Sequence, residues 1–232
     1  MSPSSTPAPR PYVLANCAVS ADGKLAYAGG ARARLSGPED LKRVQRLRTE
    51  CQAILVGAGT IRLDDPSLRV HWELLGEAAG REPLRVVLEG REPIGARARV
   101  LDGSRPTLIA GPAGPVRPYP ATVDQFRAGT DRVDLPALLR ELGSRGVHRL
   151  LVEGGSRVLA SFLAEGLVDE LSLFVAPVLI GDTAAPSMLT GLATRTETDA
   201  LGLSLLSSER IDGGALLRFR PAPPPAGRRA AL

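Results

Sequence analysis

Residues 148–181, HRLLVEGGSRVLASFLAEGLVDELSLFVAPVLIG, constrain the fold more than any other stretch of the chain. A short apolar run, Leu150-Leu151-Val152, ends on Glu153 and the pair Gly154-Gly155, and beyond it the apolar spacing changes from that of a strand to that of a helix. Ser156 is placed to cap this helix, Leu159, Phe162 and Leu163 form one apolar face, Gly166 stops it, and residues 171–175 resume as a second strand. A strand, helix and strand in this succession imply a parallel pair joined by a crossover, and hence a sheet with helices packed on it.

The first junction of that unit carries the chemistry. Glycines let a ligand approach the backbone, and the N–H groups and dipole at a helix N-terminus attract anions, so the turn suits a phosphate or pyrophosphate. Glu153 stands at the carboxyl end of its strand, where open α/β sheets place their ligands. The same residues also describe a plain tight turn with a solvated glutamate, and this stretch alone leaves both readings open. The device recurs upstream: residues 53–56 read as a buried strand running into Gly57-Ala58-Gly59-Thr60, and Asp64-Asp65-Pro66 ends that turn because proline pushes Asp65 out of the helical region.

Around these two turns, residues 12–19, 84–88 and 107–110 read as further buried strands, with a turn at Ser20-Ala21-Asp22-Gly23 and a proline-rich loop over 111–120. Ser36 and Glu39 have the spacing of a capping box, and Leu41, Val44 and Leu47 line one face of the helix that follows, to about Glu50. Asp134 caps another helix, with Pro136 in its first turn and Leu135, Leu138, Leu139 and Leu142 as its apolar face. Residues 203–209 and 216–220 flank Asp212-Gly213-Gly214, a hairpin signal. The expected fold is therefore α/β in three layers, α/β/α, with a mainly parallel central sheet and an antiparallel C-terminal edge. One domain is expected over residues 11–220, between Pro- and Ala-rich tails at 1–10 and 221–232 read as disordered.

Composition narrows the function classes. No apolar run approaches the ~20 residues of a membrane span, and the N-terminal MSPSSTPAPR has proline and serine where a signal peptide is apolar, so a soluble, cytoplasmic protein is expected. The net charge of +4 is spread over scattered arginines, aromatics are only 3%, and no nucleic-acid signature is present; small phosphorylated ligands account for the excess better than DNA or RNA. Cys17 and Cys51 have no metal or redox spacing and read as reduced, buried apolar residues, and no metal is expected.

Three blocks, residues 16–24 (NCAVSADGK), 46–68 (RLRTECQAILVGAGTIRLDDPSL) and 151–181, occur in an order and at separations that resemble the reductase of riboflavin biosynthesis, a member of the dihydrofolate-reductase-like superfamily. The H-x-E and P-C-x-x-C motifs of the zinc deaminase domain that precedes it in bifunctional members are absent here, so the resemblance is to the free-standing reductase. It implies NADPH-dependent reduction of the ribosylamino group of a pyrimidine ribose 5-phosphate to a ribitylamino group. It implies cofactor contacts at Ala18, Gly57, Thr60, Asp64, Gly154, Gly155, Ser156, Arg157 and Val158, and substrate contacts at Arg48, Leu68, His71 and Glu153. Asn16 would lie near the reacting carbon, and Asn16, Asp64 and Glu153 form the expected catalytic set.

Each has a plainer reading as well: Asn16 bonded to a strand end, Thr60 as an N-cap, Asp64 holding the turn before Pro66, Arg48 on a solvated helix face. Two positions depart from the family pattern, His71 where many members carry an arginine for the substrate phosphate, with Arg69 nearby, and Arg34 where many carry tryptophan. Family members commonly pair, and the leucine-rich terminal strands offer a self-complementary edge for a homodimer. The alternatives are a reductase of the same fold acting on a pterin or another carbonyl compound, and a nucleotide-binding protein without catalysis.

Overall fold

Strands and helices alternate from the start of the folded chain, with β1 (Tyr12–Ser20), α1 (Pro38–Glu50), β2 (Ala53–Gly57), α2 (Ala58–Asp64), α3 (Trp72–Leu75) and β3 (Leu84–Leu88). They continue through β4 (Thr107–Gly111), β5 (Val123–Arg127), α4 (Leu135–Ser144), β6 (Arg149–Gly154), α5 (Ser156–Ala164) and β7 (Glu170–Ala176), and close with the hairpin β8 (Leu203–Ile211) and β9 (Gly214–Pro221). The computed structural model describes residues 10–224 except 193 and 195. Its strands form one sheet in the order β5-β4-β3-β2-β6-β1-β7-β9-β8, parallel from β5 to β7, with β9 antiparallel to both its neighbours.

Period-2 alternation divides the sheet residues between two cores. Val13, Ala15, Leu55, Val86, Leu108 and Val152 pack with the leucines of α4 and with Leu159, Phe162 and Leu163 of α5. Leu14, Ile54, Val56, Val87, Ile109 and Leu151 pack on the other face with Ile61 of α2 and Leu47 of α1. The three-layer α/β/α arrangement thus follows from which parity of each strand is apolar on which side. β6 enters the sheet between β2 and β1, so the chain reverses its direction of travel there and the carboxyl ends of these strands flank a crevice.

Several local expectations are corrected. Asp134 caps α4 as expected, accepting from the Ala137 N–H at 2.8 Å. Ser36 does not cap α1; the N-cap is Gly37, and the acceptor is Asp212 in the β8–β9 turn, which receives the N–H groups of Glu39 (3.3 Å) and Asp40 (2.8 Å). A helix end is satisfied equally well by a carboxylate from a distant segment. Ser156 is the first residue of α5 rather than its cap, which is Gly155. The apolar stripe expected on α1 does not face inward as a whole: Leu41 is 41% exposed, whereas Asp40 and Gln45 are the buried residues of this helix. The short α3 and edge strand β5 (VDQFR) were not anticipated, since neither four residues nor so polar a strand carries a readable period.

The boundaries of the expected tails also shift. Arg10 pairs with Asp169 at 2.7 Å, Pro221 ends β9 and Ala222 donates its N–H to Gly202, while residues 1–9 and 225–232 lie outside the described residues. Burial pushes the thiols of Cys17 and Cys51 up, to about 12 and about 11, so both stay protonated near neutral pH. No helix among the described residues is long and apolar enough to cross a membrane.

Replacing Asp212 by Ala is expected to cost about 1–2 kcal/mol, combining the lost cap with the left-handed backbone (φ 49) that alanine tolerates poorly. Asp212→Asn, which keeps an acceptor and suits that conformation, should cost far less. Urea melts of the two variants check this.

Candidate active site at the carboxyl edge of the sheet

The two glycine turns lie side by side. A Cβ built on Gly155 would stand 3.4 Å from Oγ1 of Thr60, and one on Gly57 would meet Cγ2 of Val158 at 2.7 Å. The first turns of α2 and α5 therefore open on a common space, and their unpaired N–H groups and dipoles add in it. Gly154 (φ 143) and Gly155 (φ 81) adopt backbone that other residues rarely take, which explains the pair chemically. At Gly57 a Cβ would crowd Val158, so the close approach of α5 requires glycine there, while Gly59, in the first turn of α2, faces open space. Thr60 lies inside α2 and is not its N-cap, and Ser156, Arg157 and Val158 form the first turn of α5.

Glu153 is aimed by an irregularity in the sheet. Leu55 of β2 pairs with Val152, but the next residue, Val56, pairs with Gly154, so Glu153 is an extra residue in β6. Its carboxylate is held by Arg48 of α1 in a two-pronged pair, Nε to Oε1 at 2.8 Å and Nη2 to Oε2 at 2.6 Å, while Nη1 of Arg48 donates to the Arg69 carbonyl at 2.6 Å. Burial opposes the charge on Arg48, but Glu153 outweighs it and raises the guanidinium above its ordinary pKa. Arg48 is thus not on a solvated face; its side chain is 14% exposed.

Below this pair runs the segment that ends α2. Asp64, exposed, is its last residue; Asp65 takes a left-handed conformation (φ 39) and Leu68 (φ 50) is buried. Gln45 of α1 accepts the His71 N–H at 2.9 Å, so α1 anchors this segment at two points. The His71 ring meets Glu73 Oε1 at 2.8 Å through Nδ1, with Nη2 of Arg69 3.3 Å from the same nitrogen, and Nε of Arg69 is buried without a hydrogen-bond partner among the described residues. Asn16 and Ala18 lie on β1 with their side chains on the α1 side; Ala18 packs beside Phe174 and Leu35.

Sequence reasoning missed two groups here. Arg43, Gln45 and Asp40 form the inward polar face of α1, and their only sequence signal was polarity interleaved with Leu47 at helical spacing. At the end of β3, the buried Glu89 accepts from Ile94 N–H and the Tyr119 hydroxyl and pairs with Arg117 and Arg127, each at 3.1 Å. Burial, and then the bond to Glu89, push the Tyr119 hydroxyl up to about 12, so it remains a donor. A cavity of about 1180 Å³ opens beside this cluster, lined by Ile94, Leu101, prolines of the 112–120 loop, Arg91, Arg117 and Arg127. This cavity thus lies not on the glycine turns but beside the ends of β3, β4 and β5, along the same carboxyl edge.

A family model described as the RibD C-terminal domain matches residues 11–217. The chain belongs to that family. It is 40% identical over 214 residues to the 2,5-diamino-6-ribosylamino-4(3H)-pyrimidinone 5′-phosphate reductase of Methanothermobacter thermautotrophicus, covering 90% of this chain and 98% of that one. It is 37% identical to the riboflavin biosynthesis protein RibD of Bacillus amyloliquefaciens, over 87% of this chain and 55% of that protein. Among solved structures it is similar to a Thermotoga maritima deaminase/reductase, with TM-score 0.79 and 26% identity over 92% of this chain and 57% of that one. The chain spans little more than half the length of these last two relatives. The α/β fold of the family that the sequence resembles is therefore present.

Proposed function

We propose that this RibD-family chain is an oxidoreductase of riboflavin biosynthesis that reduces the ribosylamino group of a 2,5-diaminopyrimidine ribose 5-phosphate to a ribitylamino group, with NADPH as reductant. The observation that carries this reading is the meeting of both glycine turns with the Arg48–Glu153 pair at one sheet edge, in a chain 40% identical to a reductase of that named substrate. The residues fit a dinucleotide: Gly155 leaves a cradle that a Cβ would fill, and two helix N-termini face it. Thr60, Gly154, Gly155, Ser156, Arg157 and Val158 would hold the pyrophosphate, Asp64 would contact the cofactor from the exposed end of α2, and the backbone at Ala18 would meet the nicotinamide. When bound, the cofactor supplies a hydride to C1′ of the ring-opened sugar imine, and a proton completes the amine.

The cavity beside β3 and β4 suits the adenosine half. In dinucleotide-binding sheets a strand-end carboxylate that accepts the ribose 2′-hydroxyl favours NADH, whereas an arginine favours the 2′-phosphate. Glu89 already accepts three hydrogen bonds, from Ile94, Tyr119 and Arg127, and pairs with Arg117 besides, so its charge is engaged within the protein while arginines line the space around it. That arrangement favours NADPH. At the other end, Arg69 and His71 take the place of the family's phosphate arginine, and Leu68 supplies apolar contact beside them. Glu153, with both oxygens bonded to Arg48, serves to orient the substrate as an acceptor rather than to carry a proton.

The experiment is an NADPH-oxidation assay with the diaminopyrimidine phosphate, its deaminated counterpart and a dihydropterin. Oxidation with the first and at least about tenfold slower turnover with NADH are expected; oxidation with the pterin alone would overturn the reading.

We further propose a homodimer through the terminal hairpin. Leu203, Leu205 and Leu206 of the edge strand β8 are 46%, 58% and 43% exposed, a contiguous apolar edge of the kind soluble proteins cover. Sedimentation should give twice the chain mass, and Leu205→Glu should give the single-chain mass with the far-UV spectrum unchanged. A parent protein that sediments as a monomer at micromolar concentration contradicts it.

A further inference from the structure

Asn16 is a buried amide, 6% exposed, in the middle of β1. Its preceding residue Ala15 pairs with Val152, so Asn16 stands level with the irregular residue Glu153 on the neighbouring strand, and its partner on the other side is Ser172 of β7. One side chain spans this row. Arg43 of α1 donates from Nη2 to Oδ1 of Asn16 at 2.9 Å, from Nη1 to Oγ of Ser172 at 3.0 Å and from Nε to Asp40 at 2.8 Å. Asp40 is itself fully buried, and the helix end that carries both residues is fastened by Asp212 from the terminal hairpin.

A guanidinium has donors only, so whatever faces Arg43 must accept. The amide of Asn16 is therefore oriented by chemistry: Oδ1 toward Arg43, and Nδ2, a donor, away from it. Nδ2 donates to no protein acceptor among the described residues, and it is not one of the sealed, unsatisfied buried atoms. An amide left alone could turn over about its last bond and present its oxygen instead; the clamp forbids this. We propose that Arg43 is a positioning residue, which locks Asn16 so that its amide N–H₂ is offered as a donor to an acceptor atom of the ribosylamino group beside Glu153. The proposal rests on the reductase reading above and adds to it a polarity: this spot of the site is built to meet a substrate acceptor. Asp40 pairs with Arg43, so the clamp adds no net charge to the site.

The test is a double-mutant cycle on turnover, with the melting temperature and the NADPH dissociation constant measured for each variant. Because Arg43→Met would strand the buried Asp40, it is made together with Asp40→Asn; Arg43→Lys, which keeps the charge but cannot span three acceptors, is the second variant. Asn16→Ala, Arg43→Met/Asp40→Asn and Arg43→Lys are each expected to lower kcat about 10- to 100-fold, with NADPH affinity within about twofold of the parent. Adding Asn16→Ala to either Arg43 variant should lower kcat no further, since both remove the same donor. Losses that multiply, or parental kcat in the Arg43 variants while Asn16→Ala is impaired, overturn the clamp and leave the reductase reading standing. Parental kcat for Asn16→Ala removes Asn16 from the site and overturns the proposal at its base, a result distinguishable from the former. Unaltered kcat with a lowered melting temperature in the Arg43 variants would mark a merely structural residue.

Discussion

Arg48→Ala is expected to lose about two orders of magnitude in kcat/KM and about 3–5 kcal/mol of stability, the larger of the effects foreseen for this site. The guanidinium holds both oxygens of Glu153 and the carbonyl of Arg69, and the two side chains are 14% and 10% exposed. Truncation leaves a carboxylate in a nearly dry place with no counter-charge, and frees the segment that carries Leu68 and His71. The destabilisation comes from leaving the charge of Glu153 without its counter-ion. The double variant Arg48→Ala/Glu153→Gln should recover much of the stability, because an amide is cheaper to bury unpaired, yet recover little activity. Urea melts and steady-state kinetics of the single and double variants decide the matter. Recovery of activity along with stability would show that Glu153 has only a structural role.

The second large effect concerns the cofactor. Gly155→Val should weaken NADPH binding at least about 100-fold, because its side chain would fill the space between the first turns of α2 and α5 where N–H groups and dipoles converge. The backbone at φ 81 is also strained for a branched residue, at about 1–3 kcal/mol, so loss of binding alone would be ambiguous. Gly59→Asp resolves the ambiguity. Nothing lies within 4 Å of a Cβ there, the residue sits in the first turn of α2, and an acidic residue at a helix N-terminus stabilises it by about 0.3–1 kcal/mol. This variant should therefore melt no lower than the parent and still bind NADPH at least about tenfold more weakly, since its carboxylate occupies the anion's place. Titration calorimetry giving parental affinity in Gly59→Asp would remove the pyrophosphate from this edge.

Local chemistry made much of this protein legible. Gly154-Gly155 after an apolar run can hardly be anything but a strand bending into a helix, and the left-handed angles found there are the ones only glycine takes easily. Asp134 with Pro136, and Asp212-Gly213 between leucine-rich strands, likewise state their own conformation, because cap and turn energies act over three or four residues. The α/β class and the parallel core followed from periodicity, and the three quoted blocks carried the family.

Other features were settled only when distant segments met. The cap of α1 comes from Asp212, 172 residues beyond Asp40, and no local pattern could name it over Ser36. The inward face of α1 is polar because the strand residues opposite it, Asn16, Ser172 and Glu153, are polar; helix periodicity records which residues share a face, but not what that face meets. Arg48 and Glu153 were each singled out in the sequence through the family resemblance, whereas their pairing depends on the extra residue in β6 that turns Glu153 toward α1. Glu89 and its two arginines lie far apart in sequence and become one cluster only because β3, β4 and β5 run side by side. Hydrophobic pattern and turn chemistry are short-ranged and so are written in the sequence; the pairing of buried charges depends on where the sheet's register brings them, and that is a property of the tertiary structure alone.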